Sequence, residues 1–186
     1  LTAPLTLTDT DGTLLIRAPV FSRIWEGGPC VGDFDGDGAA EFGYVAYEDF
    51  YVRELDASQV WDTRTAGTTG MPMCAGYDLD VDGALEVILA DDASVRILAG
   101  RTGEELWVSP ARASFSLWQG PAVGDLDGDG DFEILVADND PSHPALLAYT
   151  HDGPGWPGTT SVWPVADYAV WNVEEDGGVP AQPEAP

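Results

Sequence analysis

Gly32-Asp33-Phe34-Asp35-Gly36-Asp37-Gly38, with Glu41 three residues on, is the stretch whose reading decides the fold. It returns as Asp78-Leu79-Asp80-Val81-Asp82-Gly83 with Glu86, and again as Asp125-Leu126-Asp127-Gly128-Asp129-Gly130 with Glu133. Each copy sets carboxylates at loop positions 1, 3, 5 and 9 and a glycine at position 6. Carboxylates this close repel one another unless a cation lies among them. Hard oxygen donors on a glycine-bent loop suit Ca²⁺, which accepts about six to eight oxygens in flexible geometry, better than Mg²⁺, which gives up its waters reluctantly. The expected ligands are Asp33, Asp35, Asp37 and Glu41 in loop 1, Asp78, Asp80, Asp82 and Glu86 in loop 2, and Asp125, Asp127, Asp129 and Glu133 in loop 3. Position 7 (Ala39, Ala84, Asp131) varies in side chain, so its backbone carbonyl is the expected donor. Three Ca²⁺ sites follow.

Two rival readings of the loop fare worse. An EF-hand needs a bidentate Glu at position 12 and flanking helices; position 12 here is Tyr44, Leu89 and Val136, between strand-like flanks. A plain acidic turn could account for one Asp-Gly pair, but not for three copies that each carry an acid at position 9.

The copies are periodic. Asp33 to Asp78 is 45 residues and Asp78 to Asp125 is 47. Pro29-Cys30-Val31-Gly32-Asp33 matches Pro121-Ala122-Val123-Gly124-Asp125, and Val95-Arg96-Ile97-Leu98 resembles Tyr51-Val52-Arg53-Glu54-Leu55, each leading to a turn and a tryptophan, Trp107 or Trp61. Glu86-Val87-Ile88-Leu89-Ala90 and Glu133-Ile134-Leu135-Val136-Ala137 are β-branched runs bounded by turn residues, hence strands. No segment sustains a helical period with caps. Four short strands in each repeat of about 45 residues predict an all-β propeller of four-stranded blades.

The ends carry half-blades. Leu5–Thr8 and Leu14–Arg17, around Asp11-Gly12, align with the last two strands of a blade. Pro164-Val165-Ala166-Asp167 and Ala169–Val173 align with the first two, without a calcium loop. The expected organisation is a half-blade 1–20, blades at about 21–61, 62–107 and 108–156, a half-blade 157–173 and an acidic, proline-rich tail 174–186. The two halves fit a fourth blade closing a ring, an exchange of half-blades between copies, or an excerpt of a larger propeller. Closure would remove exposed sheet edges.

These residues resemble FG-GAP repeats, also called VCBS-type repeats, which build the propeller of integrin α-subunits and occur in many secreted bacterial proteins. The resemblance rests on Pro121–Gly130 with Glu133–Val136 and their two relatives, and spans about residues 21–156. It implies a structural Ca²⁺ in each blade, held between the first and second strands. Three blades plus a split one depart from the usual seven, so the ligand-binding roles of the full-size propeller are not carried over to this chain.

Charge narrows the partners. Thirty-three acids against seven arginines, with no lysine, give a net charge of −26. Three bound Ca²⁺ would leave the chain strongly acidic, a surface that repels nucleic acid and anionic membranes. No apolar run reaches the ~20 residues of a membrane-spanning helix, so membrane insertion is not expected. The sequence starts at Leu1 rather than Met, as expected of a processed or excised product. Weak, exposed calcium loops suit millimolar external calcium, so an extracellular or cell-surface location is expected.

Cys30 and Cys74 lie three and four residues ahead of their loops. With a strand period of two, those offsets place them on opposite faces of equivalent strands, as buried free thiols would allow. A bulge at Tyr77 would restore the match and permit a bridge worth roughly 4 kcal/mol. Catalysis finds no footing. His143 and His151 sit in no triad or metal spacing and read as loop residues, and Ser114, Ser116 and Ser161 lack a nucleophile elbow. Trp25, Trp61, Trp107 and Trp118 recur at equivalent positions and are expected in the core. Trp156, Trp163 and Trp171 break the pattern and are candidates for a surface patch. The expected function is therefore a non-catalytic, calcium-binding module for adhesion, assembly or scaffolding, its partner another protein or a copy of itself. A lectin-like carbohydrate binder is the alternative, and an accessory domain of a secreted hydrolase or lyase stands behind both.

Overall fold

The computed structural model describes residues 4–19, 28–46, 48–66, 72–114, 120–151 and 156. All regular structure among them is β, in antiparallel sheets. An N-terminal hairpin pairs β1 (Pro4–Thr8) with β2 (Leu14–Pro19). The first repeat sheet is a meander of β3 (Cys30–Gly32), β4 (Glu41–Ala46), β5 (Asp49–Arg53) and β6 (Gln59–Arg64). The second runs β7 (Met73–Tyr77), β8 (Glu86–Ala90), β9 (Val95–Leu98) and β10 (Glu105–Val108). The third contains β11 (Ala122–Gly124), β12 (Glu133–Ala137) and β13 (Leu146–Tyr149). Its expected fourth strand, the half-blade 157–173, the tail 174–186, and Trp25, Trp118, Trp163 and Trp171 lie outside the described residues. So does the closure of a ring.

The central strand of the second sheet organises the packing. Every residue of β8 is buried, as expected of a strand covered on both faces. Its alternation divides the core in two. Val87 and Leu89, with Leu98, pack among Cys30, Phe34, Val45, Phe50, Val52 and Trp61 of the first repeat. Ile88 and Ala90, with Val95 and Ile97, pack among Val123, Phe132, Ile134 and Val136 of the third. Each buried Leu, Ile or Phe contributes roughly 1.5–3 kcal/mol, so the repeats are held face to face by ordinary hydrophobic burial. Trp61 and Trp107 join these cores as expected. Trp61 also donates its indole N–H to Gly100 O, 2.5 Å away in the second repeat.

One expectation is corrected here and one open alternative is decided. Trp156 is not on a surface patch. It is buried in the core between the second and third sheets, edge-on to Trp107 at 5.7 Å between ring centres, and its carbonyl accepts a hydrogen bond from Phe132 N. Cys30 and Cys74 are bridged, with Cα atoms 5.6 Å apart. No bulge at Tyr77 is involved, because β7 pairs with β8 in unbroken register from Met73 to Tyr77. The opposite-face argument was sound, but its consequence was the reverse. Stacked sheets meet through opposite faces, so equivalent strands of neighbouring repeats can be bridged only from residues that point in opposite directions.

Candidate functional site: three acidic loops on one register

The strand register builds the same frame three times. The last residue of each first strand pairs with the position-9 glutamate that opens the second: Gly32 with Glu41, Tyr77 with Glu86, and Gly124 with Glu133. The eight residues between each pair form the acidic loop. In all three, the glutamate turns Oε2 back to accept the backbone N–H of position 2, at 2.7 Å from Phe34, 2.8 Å from Leu79 and 2.7 Å from Leu126. The position-1 aspartate accepts loop N–H groups on both oxygens, including that of the position-6 glycine at 2.9 to 3.1 Å. The aspartates at positions 3 and 5 each take the N–H two residues ahead on Oδ1. Glycine at position 6 sits at φ +90°, +90° and +94°, where an L side chain is strained.

These contacts face the carboxylates inward. In loop 1, Asp33, Asp35, Asp37 and Glu41 each offer an oxygen, all within 4.8 Å of one another. In loop 2 the same holds for Asp78, Asp80 and Glu86, and in loop 3 for Asp125, Asp127 and Glu133. Asp82 and Asp129, the position-5 residues, stand outside those groups. The position-7 residues differ in setting: Ala84 is buried, Asp131 half-buried and Ala39 exposed.

Loop 1 gives the clearest test of fit for a cation. Glu41 is fully buried, and its second oxygen, Oε1, has no hydrogen-bond partner among the described residues. A buried carboxylate oxygen without a partner is costly, and it lies in a group of three aspartates that cannot relieve it. A divalent cation would serve all four, so the residues fit Ca²⁺. Burial pushes the Glu41 carboxyl above its usual range, against the hydrogen bonds from Phe34 and Asp35, with the Asp35 and Glu54 charges adding to the rise. Burial pushes Glu86 up to about 7, against the bond from Leu79 N and with Asp80, Asp78 and Asp82 adding to it. Both carboxyls are set against ionisation unless a cation accompanies them.

Three features escaped the sequence reading. Position 4 needs a left-handed residue as much as position 6 does: Gly36 and Gly128 have φ of +77° and +81°, and loop 2 forces Val81 to +62°. The contrast of two glycines and a valine was visible in the aligned loops. Next, Arg101, in a stretch legible only as a turn, reaches across to loops 1 and 2.

The third is a second repeated carboxylate at the far end of β8 and of β12, where the first repeat has none. Asp91 and Asp138 are buried and 47 residues apart, the spacing of loops 2 and 3. Asp91 accepts the N–H groups of Ala66, Ala93 and Ser94. Asp138 accepts those of Ala113 and Asp140, with His143 Nδ1 at 2.8 Å. Each aspartate thus ties its own hairpin to the segment entering its repeat. Arg112 adds a clasp, donating to Asp91 O at 2.5 Å and to Ala137 O at 2.8 Å. His143 is a partner of Asp138 rather than an idle loop residue; Asp138 raises its pKa and is itself lowered.

Stacked antiparallel meanders with an acidic loop between first and second strands match the repeat that the sequence resembles. Residues 78–136, from loop 2 through loop 3, match the FG-GAP-like repeat family, so the chain carries an FG-GAP-like repeat. Among solved structures it is similar to the crystal structure of the V. cholerae biofilm matrix protein Bap1, with a TM-score of 0.67 and 25% sequence identity over 77% of this chain. The match takes in 25% of that protein, so the chain spans about a quarter of its length. No curated protein matched the chain. Among the described residues, no helix is long and apolar enough to cross a membrane.

Proposed function

We propose that this chain is a non-catalytic, calcium-binding module of an extracellular or cell-surface matrix protein, built as a propeller of FG-GAP-like blades and serving adhesion or assembly. The FG-GAP-like repeat and the likeness to a biofilm matrix protein support an assembly role outside the cell. The observation that carries the calcium reading is the buried, unpartnered Glu41 Oε1 among Asp33, Asp35 and Asp37. Loops 2 and 3 repeat its register and hydrogen bonding, which supports three sites. The partner is another protein or a second copy, with the terminal half-blades either closing a ring or exchanging between copies.

Mass spectrometry of the metal content, with calorimetry before and after chelation, tests this. An ion bound only by the folded chain at a hundredfold excess over Kd adds about 2.7 kcal/mol per site, or roughly 5–10 °C in a chain of this size. Three equivalents of Ca²⁺ and a fall of that order per site on chelation are expected. A metal-free protein whose melting ignores chelator refutes the reading. Mass in solution, measured over a range of concentrations, separates the closed ring (a constant monomer) from exchange (growth with concentration).

A further inference from the structure

Loops 1 and 2 are not independent. Loop 2 donates Leu85 N–H to Asp33 O of loop 1 at 2.9 Å. The turn between β9 and β10 is wedged against both, so that a Cβ on Gly100 would meet Leu85 O at 2.1 Å and Phe34 O at 2.3 Å. From that turn Arg101 extends over Gly36, where a Cβ would lie 2.5 Å from its Nη1. Its guanidinium donates to Asp35 O in loop 1 and stands 3.5 Å from Asp82 Oδ2 in loop 2. A positive charge is therefore held against the position-5 carboxylate of one loop and the position-3 backbone of its neighbour. Asp82 is the loop-2 carboxylate left outside the convergent group.

Resting on the calcium reading above, we propose that Arg101 is a tethered counter-ion. It neutralises Asp82 while loop 2 is empty, competes with Ca²⁺ for that carboxylate, and so sets loop 2 as the weaker member of a linked pair. The chemistry has two opposite consequences. Without calcium, the guanidinium relieves repulsion between two acidic loops and favours the fold. With calcium, the same charge opposes the incoming ion. A residue that served only packing would lower stability and affinity together; a competing counter-ion moves them in opposite directions. Arg101 and Asp82 are each 47% exposed, so the charge is screened by water and salt.

The test is calcium titration by calorimetry, with urea unfolding in chelator, on wild type, Arg101→Gln and Arg101→Lys. Arg101→Gln should tighten the weakest calcium constant about three- to tenfold, the size of one screened unit charge near a divalent ion. It should also lower the urea midpoint of the chelated protein. Arg101→Lys, which keeps the charge, should stay within about twofold of wild type in that constant. An Arg101→Gln titration that matches wild type or is weaker overturns the proposal while leaving the calcium reading intact. Wild type that takes up no calcium removes both.

Discussion

Glu86 makes the metal-free protein respond to pH in an unusual direction. Its carboxyl titrates near 7 in the folded chain, against 4.5 as a free side chain. A group whose folded pKa is raised binds more protons in the native state than in the unfolded one. Stability must then fall as pH rises between those two values. Each pKa unit is worth about 1.4 kcal/mol, so the full opposition to folding is about 3 kcal/mol, of which about 2.5 kcal/mol develops between pH 5 and 8. With a urea dependence of about 2 kcal/mol per molar, this is a midpoint shift on the order of 1 M. The assay is urea unfolding at pH 5 and pH 8 in a chelator effective at both. Wild type should be the more stable at pH 5, and Glu86→Gln should lose most of that difference. Saturating calcium should reverse the slope, because the ion requires the carboxylate that the proton would otherwise occupy. A chelated wild type that is equally stable at the two pH values, or more stable at pH 8, refutes the reasoning.

Further outcomes follow from other parts of the stack. Replacing Cys30 and Cys74 together with serine removes a cross-link spanning 44 residues, which should cost about 4 kcal/mol in the chain-entropy treatment; denaturant titration against wild type, both in calcium, measures it. Val81→Gly should stabilise the chelated protein by roughly 1 kcal/mol, since the left-handed strain of an exposed β-branched residue exceeds the entropy that glycine adds to the unfolded chain; thermal melting will show the sign. Asp91→Ala should destabilise by about 3 kcal/mol or more, because it removes the nearer of the two carboxylates beside Arg96, 3.4 Å away, and leaves three backbone N–H groups without their acceptor around a buried site. Unfolding followed by tryptophan fluorescence checks this, and a loss under 1 kcal/mol would count against it.

The sequence carried the loops and the strands around them because both are local. Carboxylates at positions 1, 3, 5 and 9, followed by a β-branched run, specify a hairpin whatever surrounds it, and each glutamate does open a second strand. The relations between repeats were less legible. The disulfide was left open because period-two reasoning gives the face of a strand but not the sheet that the face meets. Trp156 looked exposed because it lay off the repeat, yet an off-register aromatic can fill a core gap as well as a regular one. Arg101 was invisible as a contact, since a turn residue acquires meaning only when two loops from elsewhere approach it. Asp91 and Asp138 were within reach, through their shared spacing and the alanine ahead of each.

The acidic loop closes its own hairpin, but it is also a joint between sheets. Its position-2 residue points away from the carboxylates and into the neighbouring interface: Phe34 into the core of the first and second repeats, Leu79 into that of the second and third. The same residue's backbone N–H is held by the position-9 glutamate, whose other oxygen in loop 1 is buried without a partner among the described residues. An ion that fixes Glu41 thus fixes the backbone from which Phe34 hangs, and Asp33 O passes the constraint on to Leu85 of loop 2. Calcium bound in this way would order the stacking of repeats and not merely a turn. It should raise the cooperativity of unfolding of the whole stack, so that hydrogen exchange in β8, which carries none of the ligands of loop 1, slows when loop 1 is filled.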